Sequence, residues 1–475
     1  MEAKEAVESV VTSAKRLKQL NKKITKLGAI VLILLVLACI VSCVIYDIPM
    51  HSAIFMALVI TCVFGLVYKY SWLELQEMMF SGIRDSLFLL LLMPLIGVVI
   101  GQFIIGGIVP SMIYYGVKFL SPKTFFIFAP IFTALVAMSI GTSWGTASTI
   151  GLAMMSIGTA MGVNKEVLAA TIVGALFCGE ILSPLAGSTN LTASLMNVSY
   201  SKYISKIRVP VLIAFILSII YNIWYNSGSN IMATSGSISQ VLIAIKSQYF
   251  VSIALLLIPL VVIFLSWRGM KIIPVLAIGA GLSMLSALFL QSVPLKTILT
   301  TIYSGPPVVD SHTIINALVQ NGGIIKMMSI STLLLMSLGL AGLLEKLGVL
   351  ETVMSSAMPY LVNNPVTLLL FTLFAGFFLS LIAGSQTLAM MLLIKLVYNS
   401  YDKSKVDKSW GSVMVMASAG VIPPLIPWNI NGLFLTSVLG VSTVSYFKHS
   451  IFSLTLPIVV VLYFLALQLK KRKVI

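Results

Sequence analysis

Apolar residues fall along this chain in long unbroken runs, without the alternation of half-buried strands or the three-to-four spacing of surface helices. Runs at 27–46, 51–68, 87–109, 209–225, 249–266, 272–291 and 449–469 each approach or exceed the length of a helix crossing a bilayer. A longer apolar stretch covers 124–162, and another starts near Val167. Short polar stretches separate them. They include an amphipathic segment at 70–86 with Glu74, Glu77, Arg84 and Asp85, a Ser/Gly/Asn-rich loop at 227–247 and a polar loop at 292–325. The pattern predicts an all-α polytopic membrane protein of roughly 12 transmembrane helices.

Composition removes the alternatives. Of 475 residues, 59% are hydrophobic and only 9% charged, too few charges to keep a globular surface in water. The net charge of +16 would suit nucleic acid, but basic residues collect in the cytoplasmic loops of polytopic proteins, so no nucleic-acid partner is implied. Cys39, Cys43, Cys62 and Cys178 sit inside apolar runs, where cysteine behaves as a small hydrophobe, and no disulfide framework is expected. The first 26 residues, with Lys15, Arg16, Lys18, Lys22, Lys23 and Lys26, are too polar for a secretory signal and are expected to be retained.

Charge sets the expected orientation. The basic lead at 1–26, the cluster Lys202, Lys206 and Arg208, the pair Arg268 and Lys271, and the tail Lys470–Lys473 fall on one side if the intervening runs are spans. Both termini are then cytoplasmic. Lys118 and Lys123 run against this parity, in a loop it places outside.

Internal similarity supplies the organisation. Residues 82–200 and 323–440 run in parallel at an offset of about 240. Gly141-Thr142-Ser143-Trp144 answers Ala383-Gly384-Ser385-Gln386, and Gly179–Leu185 answers Ala419–Leu425. Three spans lie between the copies, so the repeats are expected to be inverted, an arrangement common in secondary transporters. The divisions are the N-terminal segment 1–26, two helices in 27–69, transport repeat 1 in 70–208, connecting helices in 209–291, transport repeat 2 in 292–448, and a last helix with its basic tail in 449–475.

Candidate chemistry lies where polar and helix-breaking residues interrupt apolar runs. Irregular backbone survives at membrane depth only when buried in protein or lining a cavity. Four such places occur in matched pairs: 141–149 with 384–387, and 180–192 with 423–432. They are expected to be discontinuous or re-entrant helices whose exposed ends hold ions or polar cargo. Hydroxyls at helix contacts commonly serve packing alone, and Trp144 and Trp428 suit either packing or a gate. Glu180 lies about 13 residues into its apolar run, and a carboxylate there is costly enough to imply function. Burial is expected to raise its pKa, and a structural acid bonded to a neighbouring helix is the alternative. Glu345 and Lys346 read as a helix end, and Gly97, Gly101, Gly106 and Gly107 as sites of close helix approach. His51, His312 and His449 are far apart, and no metal-ligand spacing, nucleophile elbow or phosphate loop appears, so neither an enzyme nor a resident cofactor is expected.

The segments Leu95–Gly116, Gly141–Thr146 and Gly179–Leu191, with Pro424-Leu425-Ile426-Pro427-Trp428-Asn429, resemble the NhaC family of Na⁺/H⁺ antiporters over roughly 70–465. The resemblance implies a secondary transporter of the bacterial inner membrane, related to the larger ion-transporter superfamily, with Na⁺ or H⁺ as coupling ion and an elevator-like movement. The paired breaks, read with this resemblance, give Glu180, Thr142, Ser143 and Asn190 as candidates for the cation or proton, and Ser183, Ser188, Thr189, Ser385, Gln386, Asn429, Trp144 and Trp428 for the substrate. Its partners would be the lipid bilayer and a small ion or small-molecule substrate, with a homodimer allowed.

The family segment reads Gly-Asp-Lys-x-Ser-Pro-Leu-Ser-Asp-Thr-Thr-Asn. Here Glu180 replaces the first Asp, Ile181 the Lys and Gly187 the second Asp, while Met416-Ala417-Ser418 stands where the family tends to carry an acid. One carboxylate remains. Family members also exchange malate for lactate or carry amino acids, so a cation-coupled carrier of an organic acid or amino acid is the alternative expectation. A channel or a membrane scaffold is the reading from a different class.

Overall fold

A computed structural model describes residues 24–472, apart from 47, 85–86, 121, 229–234, 269, 308–321, 356–364 and 405. Most of the basic N-terminal lead, Asp85 and His312 fall outside the described residues. Those described form helices, turns and bends, with no strand among them.

The chain opens with α1 (Lys26–Ile45), α2 (Met50–Val67), α3 (Trp72–Arg84), α4 (Leu87–Ile105) and α5 (Ile108–Phe119). Then come α6 (Pro122–Ile140) and α7 (Ser143–Thr146), which continues through a π-helical turn, Ala147–Gly151, into α8 (Leu152–Ala160). Next are α9 (Lys165–Leu182), α10 (Gly187–Leu195), α11 (Tyr200–Gly228), α12 (Ser235–Gln248), α13 (Leu257–Trp267), α14 (Ile272–Phe289) and α15 (Leu295–Ser304). The second half holds α16 (Ile324–Lys346), α17 (Val349–Ser355), α18 (Pro365–Ile382), α19 (Gln386–Lys403) and α20 (Lys408–Val415). After a π turn, Met416–Gly420, and a 3₁₀ turn, Pro423–Leu425, it closes with α21 (Ile430–Leu439), α22 (Thr443–Phe447) and α23 (Ile451–Arg472).

Seven of these helices are long and apolar enough to cross a membrane, and four bent pairs raise the number to eleven. Several boundaries differ from the sequence reading. The run at 87–109 is broken at Gly107, whose φ of 77° is left-handed, and α4 and α5 meet there at 64°. The loop expected at 227–247 contains α12, in which five apolar residues, Val241–Ile245, sustain a helix with Ile245 buried. The run at 249–266 is no straight span: a 3₁₀ turn, Ile253–Leu256, precedes the 11-residue α13, bent 90° from α12. Within the polar loop 292–325, α15 packs Ile298 and Thr301 inward, and Gln102 Nε2 donates to the Ile298 carbonyl at 3.0 Å.

Two groups of helices emerge. In the first, α2, α3 and α4 pack along α16, with α14 and α15 against α4. Backbones touch there: a Cβ on Gly82 would lie 2.3 Å from the Leu338 carbonyl oxygen, and Gly323 N–H donates to the Gly97 carbonyl at 2.7 Å. Such approach gains dispersion energy, the main attraction left between helices once lipid has replaced water. The second group contains α6–α11 and α18–α23, joined to the first mainly through α5 against α8 and α16 against α21.

Contacts within the second group define two hairpins. Gly158 on α8 faces Leu168 and Phe125, and Gly179 faces Ala134 and Ala137. Hence α6 and α9 run in parallel and α8 returns between them, turning at Gly141. Likewise Gly376 on α18 faces both Ser418 and Leu393, so α19 folds back along α18 at Gly384 while α20 and its π turn run with α18. The hairpins enter from opposite ends. Trp144 meets Phe434 and Gly151 meets Leu439, so α7–α8 and α21 leave the crossing together toward the end marked by Gly162. Thr192 meets Met390, and Asn197 Nδ2 donates to Tyr398 Oη at 2.7 Å, so α10 and α19 leave together toward the other end. The repeats are inverted.

Candidate functional site

Each hairpin tip meets the break of its partner helix by the same device. Gly141 and Gly384 both adopt left-handed φ, 79° and 64°. A Cβ on Gly141 would lie 2.8 Å from Leu185 Cβ, and the Gly384 carbonyl accepts the Ile430 N–H at 2.9 Å. Thr142 and Ser385 then extend the chain as N-caps, neither using its side chain to cap. The pairing is therefore Gly141 with Gly384 and Ser143 with Gln386, one residue from the register inferred by sequence. Conformation sets it, because both turns need a residue without Cβ at the same step.

Eight half-helix ends converge on the crossing. The N-termini of α7, α10, α19 and α21 bring N–H groups and partial positive charge; α6, α9, α18 and the Pro423–Leu425 turn bring carbonyls. An 18-residue helix is about 27 Å long, so each tip lies deep inside the protein.

Glu180 occupies the first tip and is 7% exposed. Ser143 N–H donates to Oε2 at 3.1 Å, and the Ser188 hydroxyl donates to Oε1. The carboxylate thus ties the N-terminus of α7 to α10 across the break in α9. Thr189 on α10 reaches back to α9, its hydroxyl 3.3 Å and 3.4 Å from the carbonyls of Glu180 and Ile181, freed where α9 ends. The Tyr200 hydroxyl takes the Leu182 carbonyl at 2.7 Å.

The second tip holds no carboxylate. Trp144 Nε1 donates to Asn431 Oδ1 at 2.7 Å, Asn431 Nδ2 to Gln386 Oε1 at 2.9 Å, and Gln386 Nε2 to the Gly420 carbonyl at 2.8 Å. Trp144 also stacks on Phe434, ring centroids 4.2 Å apart. Gly420 answers Glu180 in the repeat, so amides and a main-chain oxygen stand where the first copy places charge. Trp144 follows Ser143 directly, and this joins the two clusters.

The other expected site residues lie around these clusters. Asn190 is exposed and turns its amide to the carbonyls of Pro184 and Ala186, at 2.8 and 2.9 Å, within its own break. Ser183 Oγ accepts Leu185 N–H at 3.1 Å. Asn429 caps α21 through Asn431 N–H and reaches the Ser380 carbonyl at 3.4 Å, while Trp428 Nε1 donates to the Leu381 carbonyl at 2.6 Å. The Thr142 carbonyl accepts from Thr146 at 2.9 Å. Glu180, Ser143 and Ser188 thus share one centre and Trp144 and Gln386 a second, while Asn190, Ser183, Asn429 and Trp428 hold the breaks in shape. Sequence reasoning did not single out Asn431, although an amide just after Pro427-Trp428 in an apolar run was the signal. Among the described residues no group of three or more His, Cys, Asp or Glu could hold a metal ion.

The sequence of the chain matches transport families. The model of the Na⁺/H⁺ antiporter family matches residues 174–466, and that of the C4-dicarboxylate anaerobic carrier matches 2–226. A malate-2H⁺/Na⁺-lactate antiporter of Bacillus subtilis is 29% identical, covering 84% of this chain and 86% of its own. The Na⁺/H⁺ antiporter NhaC of Alkalihalophilus pseudofirmus is 28% identical over 87% and 89%, and an arginine/ornithine antiporter of Halobacterium salinarum 25% identical over 84% and 83%.

Proposed function

The chain belongs to the Na⁺/H⁺ antiporter family, and from that premise we propose that it is a secondary active transporter of the bacterial inner membrane, exchanging a cation for protons at Glu180. One observation carries the reading: the carboxylate at the crossing is held by Ser143 N–H and the Ser188 hydroxyl, which makes hairpin position sensitive to its charge. Bonds to an ionised acceptor are roughly twice as strong as neutral ones. A proton on Glu180 weakens the tie between α7 and α9, while a cation bound to the carboxylate competes with the same donors. Proton and cation then occupy the site in alternation. Thr142 and Ser143 would complete the cation shell, with the carbonyls left open at the breaks. The clusters at Lys202–Arg208 and Lys470–Lys473 orient both termini toward the cytoplasm.

The test is flux in proteoliposomes. An imposed Na⁺ gradient is expected to move protons, read by an internal pH dye; a gradient that moves none refutes the reading.

A second reading is favoured by the first half of the chain matching a dicarboxylate carrier and by the malate/lactate relative. The same machine would then exchange an organic acid, its carboxylate facing the half-helix N-termini and the amides of Gln386 and Asn431, with Glu180 as the coupling group. Labelled malate accumulating against a Na⁺ or proton gradient is its signature.

A further inference from the structure

Where the two helix groups meet, at the Gly162 end, lies a small open cavity of about 70 Å³. Ile100 and Ile104 of α4 line one side, and Ser156 and Thr159 of α8 the other, with Leu439 of α21 and Lys165 of α9. It follows the α8–α21 seam that leads from Trp144 and Phe434 to this end. Lys165 is the one charged lining residue. It makes no ion pair among the described residues, and its neighbour Glu166 is engaged instead by Lys448 Nζ at 3.3 Å and faces His449 Nε2 at 3.8 Å.

We propose that this cavity is the entry vestibule for a small organic carboxylate, with Lys165 as the recruiting cation and Thr159 as a hydroxyl partner. The inference rests on the second reading above. An exposed ammonium at the mouth raises the local concentration of anions and repels Na⁺, so a vestibule serving a bare cation would be lined the other way. The aliphatic wall of Ile100, Ile104 and Leu439 suits the carbon chain between polar ends.

The experiment uses the full-length protein in proteoliposomes, with labelled malate as probe and concentration-dependent initial rates as readout. Lys165→Gln is expected to raise the half-saturation concentration roughly tenfold with maximal rate within about twofold, the loss of one charge-assisted contact. Lys165→Arg is expected to restore it. Na⁺ half-saturation should stay unchanged in both variants. Half-saturation unaltered in Lys165→Gln, or a fall confined to the maximal rate, overturns the vestibule while leaving organic-acid exchange standing. A wild-type protein that exchanges Na⁺ for protons but neither moves malate nor is inhibited by it overturns both.

Discussion

Ser143 and Glu180 stand 37 residues apart in sequence, yet the main-chain N–H of the first donates to Oε2 of the second at 3.1 Å inside the membrane domain. The bond joins a hairpin tip to the end of a broken helix. It places negative charge on a helix N-terminus, where the backbone dipoles favour it. Glu180 is therefore part of the hairpin's seating as well as a titratable group, and the two roles can be separated by substitution.

Glu180→Gln keeps the shape of the side chain and one oxygen able to accept from Ser143 or Ser188, while removing the charge. Proton-coupled flux is expected to fall to the level of protein-free liposomes, with about 1–3 kcal/mol lost in detergent unfolding. Proton coupling that persists in this variant would reduce Glu180 to a structural acid.

Asn431→Leu strands Trp144 Nε1 and Gln386 Oε1 together. An unpaired buried polar group costs about 1–3 kcal/mol, so a lower melting temperature and altered cargo half-saturation are expected. The proton coupling proposed for Glu180 should remain. A melting curve that overlays the wild type would show that the amides make no net contribution.

The two hairpin glycines should differ. Ala at either position pays about 1–2 kcal/mol for left-handed backbone. At Gly141 the new methyl also meets Leu185 Cβ at 2.8 Å, adding overpacking of about 1–3 kcal/mol, whereas at Gly384 the nearest atom, Ala341 Cβ, lies at 3.2 Å. Gly141→Ala is expected to be the more damaging in both stability and transport, and the reverse order would argue against the tip geometry.

His449 provides a pH test away from the crossing. Burial, and then Lys448, push its pKa below the usual 6.5, opposed by Glu166. The unfolded chain therefore takes up a proton first as pH falls, and folded stability declines from about pH 6.5 down to the folded pKa. Melting temperature measured from pH 7.5 to 5 should fall more steeply in wild type than in His449→Gln, which keeps a polar partner for Tyr221. Parallel curves would exclude the linkage.

Much of this was legible in the residue order. A run such as Ile451–Leu469 has one stable fate in a bilayer, and a polar break such as 141–149 survives there only when covered by protein. Glu180 stood out because a carboxylate in an apolar run must be compensated. Less was legible where periodicity carries no signal. α12 hid in a Ser-rich stretch, and α13 looked like a span until its 90° bend with α12 appeared. The pairing of Gly141 with Gly384 needed backbone angles, since residue similarity aligned the tips one step away.

By itself the sequence determined the bilayer as solvent, the approximate spans and the few polar groups that must find partners inside. Those follow from local hydropathy and the cost of bare polar groups in hydrocarbon, which act on each segment alone. Tertiary structure decided which partners they find. That Glu180 closes on Ser143 and Ser188, that Asn431 bridges Trp144 and Gln386, and that Lys165 faces a cavity between the helix groups depends on contacts from distant parts of the chain, which only packing brings together.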